Sequence, residues 1–89
     1  MPYIKQDIRE YFNKIQLDKV TDLGLYCRNS GELNYIITSI LKGYLSRSTK
    51  SYSVLNEIIG VIECVKLEFS RRIVSPYEDE AIDRNGDVF

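Results

Sequence analysis

Between Leu55 and Ile73 the chain reads LNEIIGVIECVKLEFSRRI, an unbroken stretch with helical periodicity that no other segment matches in length. Its apolar positions, Leu55, Ile58, Ile59, Ile62, Val65, Phe69 and Ile73, recur at the i, i+3, i+4, i+7 spacing of one helix face. Ser51 or Ser53 supplies a cap at its start, and Pro76 is expected to stop it. A helix of about 22 residues spans about 33 Å, longer than a small domain needs to cover its own core. Its far end is therefore expected to meet another subunit.

The chain has 89 residues, enough for one domain over 1–89, and a chain of this size buries only about 60–65% of its unfolded surface. The usual staples for such a domain are missing from the sequence. There is no histidine, and the two cysteines, Cys27 and Cys64, lie far apart, so neither a disulfide framework nor a structural zinc site is expected. Association remains as the route to a larger core, and a homodimer is the commonest form it takes.

Twelve basic and thirteen acidic residues leave a net charge of −1, which gives no global attraction to nucleic acid or to an anionic membrane. The charge is polarised instead. Lys42, Arg47 and Lys50 form one basic cluster, Lys66, Arg71 and Arg72 follow, and acids gather at Glu78, Asp79, Glu80, Asp83 and Asp87. No apolar run approaches the ~20 residues of a membrane span, and the opening Met-Pro-Tyr-Ile-Lys has no apolar signal core. A cytoplasmic location with both thiols reduced is expected.

The rest of the chain also reads as helix. From about Gln6, behind Pro2, Ile8, Tyr11, Phe12 and Ile15 recur at helical spacing, with Asp7 placed to accept first-turn amides. Leu17 to Cys27 either continues that helix after a kink near Asn13 or stands alone, weakened by Gly24. At Asn29-Ser30-Gly31-Glu32 either Asn29 and Glu32 form a capping box or Ser30 is the cap, and Leu33, Ile36, Ile37, Ile40, Leu41 and Tyr44 then trace a wide helix face ending near Leu45. Segment 75–89 is expected as an extended acidic tail, with an Asn85-Gly86 turn and Tyr77, Ile82, Val88 and Phe89 as anchors for docking. The fold class is all-α, three to four helices in a small antiparallel, self-associating domain.

The opening Met-Pro-Tyr-Ile, the Gly31-Glu32-Leu33-Asn34-Tyr35 start, Asn56-Glu57-Ile58-Ile59-Gly60-Val61, Glu63 to Phe69 with Arg71-Arg72, Pro76-Tyr77-Glu78-Asp79 and the closing Asn85-Gly86-Asp87-Val88 carry a resemblance. Together they look like short phage and bacterial proteins of about 90 residues, a family of unknown function. The resemblance spans the whole chain and implies a helical fold in a phage or mobile-element setting, with no implied activity. Ser70 and Phe89 stand where that family is expected to have tyrosine.

Three groups of residues are candidates for chemistry. Asn56, Gly60 and Glu63 form a stripe beside the apolar face of the long helix, and Asn34 and Thr38 form a similar one on the preceding helix. A glycine inside a helix costs stability unless something approaches it closely, so Gly60 is expected at a helix crossing, with the polar residues forming an interface network. Arg71 and Arg72 sit near a helix C-terminus beside Tyr77. There they either pair with Glu68 or form a fork for an anionic ligand, with the ring stacking on a base.

Catalysis finds little support. Glu57, Glu63 and Glu68 are spread around the helix rather than paired for a hard cation, and Cys64 has no histidine to activate it. No glycine-rich phosphate loop exists. No catalytic residue, metal ligand or cofactor is assigned. The expected function is a non-enzymatic interaction protein of phage type, binding a host protein or sequestering a nucleotide-like ligand. A nucleic-acid-binding regulator using Lys42 to Lys50 is the alternative, and a carboxylate-metal nucleotide hydrolase the third.

Overall fold

Every regular element in residues 4–89, the part of the chain that the computed structural model describes, is helical. The helices are α1 (Gln6–Lys14), α2 (Leu17–Tyr26), α3 (Ser30–Ser46), α4 (Tyr52–Phe69) and α5 (Ser75–Asn85). A π-helical turn, Ser70–Val74, joins α4 to α5 without interruption, so the chain forms four rods. It divides into two units, Met1–Tyr44 and Leu45–Phe89. Pro2, expected ahead of the first helix, lies outside the described residues.

In the first unit α1 and α2 are separate helices. The Ile15 N–H closes α1 on the carbonyls of both Tyr11 and Phe12, each at 3.2 Å. Gln16 then takes a left-handed conformation at φ 99° and changes the direction of the chain. The Lys19 N–H starts α2 on the Gln16 carbonyl at 3.0 Å. Phe12, Ile15, Leu17, Val20 and Leu23 line the concavity between the two helices. Asp7 accepts from the Ile8 N–H, the role its place in the first turn suggests.

The start of α3 follows the capping pattern with one displacement. Asn29 Oδ1 accepts from the Glu32 N–H at 2.9 Å, the forward half of the box. The reciprocal bond goes one residue further back, from the Arg28 N–H to Glu32 Oε1 at 2.9 Å. The Arg28 guanidinium also grips this carboxylate through Nε and Nη2. Glu32 thus closes both the backbone end and an ion pair.

In the second unit Ser51, rather than Ser53, caps α4 by accepting from the Val54 N–H at 3.3 Å. The expected stop at Pro76 does not occur, and helical backbone continues to Asn85, making one rod of about 50 Å from Tyr52. Proline has no N–H, and its ring clashes with the carbonyl four residues earlier in an α-helix. The π turn just ahead of Pro76 widens the backbone, with the Ser75 N–H reaching back five residues to the Ser70 carbonyl. Proline then falls near the start of α5, where its missing donor matters least.

Segment 75–89 is correspondingly not extended. It is helical through Asn85, and Gly86 ends it with φ 86° and an N–H bond to the Ile82 carbonyl at 2.8 Å. A Glu80–Arg84 pair at i, i+4 supports it from the side. Among its intended anchors, Tyr77, Ile82, Val88 and Phe89 are all exposed. More generally, no described residue is buried.

Candidate ligand-binding helix end

The end of α4 gathers the densest ionic cluster in the second unit. Glu68 lies three and four residues ahead of Arg71 and Arg72, on the same side of the helix, and its carboxylate accepts from both. Arg71 Nη2 donates at 3.0 Å, and Arg72 donates through Nε to the same oxygen. The Arg72 hydrogen bond holds the Glu68 carboxyl below its ordinary range; partial burial opposes this, and the positive charges of Arg71 and Arg72 reinforce it. Two cations on one anion leave an excess positive charge. Both arginines stay more than half exposed, so the charge faces water.

Tyr77 stands seven residues past Ser70, beyond the π turn, and is exposed. Its ring is covered by Arg84 rather than by the arginine pair, with the guanidinium carbon 5.9 Å from the ring centre. Arg84 is therefore an aromatic partner that the sequence reading missed. Its seven-residue spacing from Tyr77, two helical turns, was the available signal. Arg28 was missed in the same way, although Arg28 and Glu32 are four apart.

The polar stripes are satisfied along their own helices. Thr38 Oγ1 donates to Asn34 Oδ1 at 3.2 Å, and both line a shallow groove with Ser30, Gly31 and Tyr35. Glu63 pairs with Lys66 at 3.3 Å. At 100° per residue, Asn56, Gly60 and Glu63 lie about 125°, 165° and 105° from the centre of the α4 apolar face, with Glu63 next to its Ile59 edge and Gly60 furthest round. A Cβ built on Gly60 meets no heavy atom within 4 Å among the described residues of its own unit.

A second concavity, of about 450 Å³, opens at the α2–α3 corner among Leu23, Tyr26, Tyr35 and Ile36, with Glu32 at its rim. Arg28 holds the Glu32 carboxyl below its ordinary range by side-chain and backbone hydrogen bonds. Among the described residues, no three His, Cys, Asp or Glu side chains are grouped to hold a metal. Nor is any described helix long and apolar enough to cross a membrane.

These features define a small all-α protein whose polar groups are mostly paired along single helices and whose apolar faces lie open. The chain belongs to the family described as a domain of unknown function, DUF6899, which matches residues 1–88. No curated protein and no solved structure matches it.

Proposed function

We propose that this chain is a non-enzymatic interaction protein that self-associates and, in the cytoplasm of a cell carrying a phage or mobile element, binds a host protein. One observation carries the reading. On α4 and the π turn Ile62, Val65, Phe69 and Ile73 form a contiguous apolar arc that is 39%, 63%, 59% and 56% exposed. Covering a side chain of this kind contributes about 1.5–3 kcal/mol when complete, so leaving four together in water is a large standing cost. Contiguous apolar surface of this sort marks a protein contact.

Light scattering across micromolar concentrations tests it. A mass at least twice the 10.4 kDa of the chain is expected. A monomer throughout would remove the reading. Phe69→Glu, which puts a charge in the middle of the exposed arc, is expected to shift the assembly toward monomer while the helical circular dichroism of each rod persists.

The excess positive charge of Arg71 and Arg72 on Glu68 favours a second reading in which the same helix end sequesters an anionic, nucleotide-like ligand. A calorimetric screen of mono-, di- and cyclic nucleotides against wild type and Arg72→Ala separates the two. Heat that vanishes in the variant supports ligand capture, and no heat supports protein binding alone. For random duplex or single-stranded nucleic acid, binding no tighter than about 10⁻⁶ M is expected at physiological salt.

A further inference from the structure

We infer that two copies pair through α4 in antiparallel order, about a two-fold axis passing between Glu63 and Cys64. The inference rests on the self-association proposed above and adds its geometry. Within the apolar face, which also carries Leu55 and Ile59, the residues Val54, Ile58, Ile62, Val65, Phe69 and Ile73 are separated by four, four, three, four and four residues. That series is the same read from either end. Such a series suits a two-fold axis across the helices, because each copy then presents the same strip to the other in reverse and apolar residues fall opposite apolar residues. The pairs it makes are Val54 with Ile73, Ile58 with Phe69 and Ile62 with Val65.

Exposure differs between the two halves of the strip. Val54 and Ile58 are half-buried in their own chain, whereas Ile73 and Phe69, their counterparts, are exposed. Each outer pair joins a partly covered side chain to an open one, so both copies complete the cover that the other lacks. The eleven-residue separations of Val54 from Val65 and Ile58 from Phe69 keep the strip nearly straight along an α-helix, suiting a rod with little supercoil.

Charge selects the direction. No acid lies between Glu32 and Glu57, and Lys50 stands immediately before the Ser51 cap. At the other end of the rod α5 carries Glu78, Asp79, Glu80 and Asp83. Reflection about the same axis sets Lys50 opposite Tyr77 and Glu78, twice per dimer. A parallel pair would instead place Lys50 on Lys50 and acid on acid, which is repulsive. The unbroken passage through Pro76 matters here, because it holds the acids in line with α4.

The test uses full-length protein in a Cys27→Ser, Cys64→Ser background whose dimeric mass has been confirmed. Val54→Cys and Ile73→Cys are made separately and treated with a short thiol crosslinker, alone and after subunit exchange. The expected result is a covalent dimer only in the mixture, since like positions lie about 28 Å apart along an antiparallel pair. Self-linking of Val54→Cys would overturn the proposal in favour of a parallel pair. A dimeric mass with no crosslink in the mixture would overturn it in favour of another surface. A monomeric wild type would remove the underlying reading as well. Lys50→Glu, which leaves the apolar strip intact, is expected to weaken the dimer about tenfold at low salt, with Glu78→Lys restoring it. No effect of Lys50→Glu at low salt would also count against the antiparallel order.

Discussion

The junction between α1 and α2 and the junction between α4 and α5 behave in opposite ways to their residues. At the first, nothing stronger than Ile15-Gln16 stands between two helical stretches, and the helix ends there. At the second, a proline sits inside the pattern, and the helix continues. A left-handed non-glycine residue costs about 1–2 kcal/mol, and proline in a helix interior about 3 kcal/mol. Neither cost alone decides the outcome. What differs is where the freed hydrogen-bonding groups go. Ile15 closes α1 on two carbonyls and Lys19 restarts on Gln16, so the break carries backbone bonds on both sides. Ahead of Pro76 the Ser75 N–H bonds five residues back, so the continuation is bonded too.

Substitutions at the two junctions are expected to give opposite signs. Pro76→Ala removes the reason for the widened turn, and a gain of about 1–3 kcal/mol is expected by urea unfolding at fixed protein concentration. A loss would mean that something other than proline holds the π turn. Gln16→Val puts a β-branched side chain in the left-handed position, and a loss of about 1–2 kcal/mol is expected in the same assay. Gln16→Gly should be neutral or mildly stabilising, and a loss comparable to that of valine would show that the glutamine side chain itself holds the turn.

A third junction sharpens the comparison, because there the break is capped by side chains. Asn29→Ala removes the acceptor of the Glu32 N–H, with an expected loss of about 1 kcal/mol and faster exchange of that amide by NMR. The smallest effect concerns pH. Glu32 and Glu68 both titrate below the ordinary glutamate range in the folded chain because arginines hold them ionised. Their contribution is therefore present above the unfolded glutamate value of about 4.3 and is lost as pH falls through the lower folded values. Helical signal flat from neutral pH to about pH 5 and falling below it is expected, with the acid limb shallower in Glu68→Gln.

Much of this was readable from the residues. The start of α3 was legible because Asn29 and Glu32 carry their own local instructions, and the Glu68 pairing with Arg71 and Arg72 followed from i+3 and i+4 spacing. The continuation through Pro76 was not, because proline states a local penalty while its relief is spread over Ser70 to Ser75. The helical state of 75–85 was missed for a related reason. Its run of acids after Pro76 suggested an extended tail, yet Glu80–Arg84 and the Gly86 terminus are ordinary helix devices. At the candidate site, the pairing of Arg84 with Tyr77 depends on two turns of a helix that Pro76 was expected to prevent.

The π turn also has a bearing on how this chain can vary in length. A widened turn is the form an α-helix takes when it holds one residue more than its geometry needs. A one-residue deletion within 70–74 therefore narrows the turn to an α-helix and keeps α5 in rotational phase with α4, at the cost of returning Pro76 to an α-helical interior. The same deletion inside α4 has no slack to draw on and rotates everything beyond it by about 100°, splitting the apolar strip across two sides of the rod.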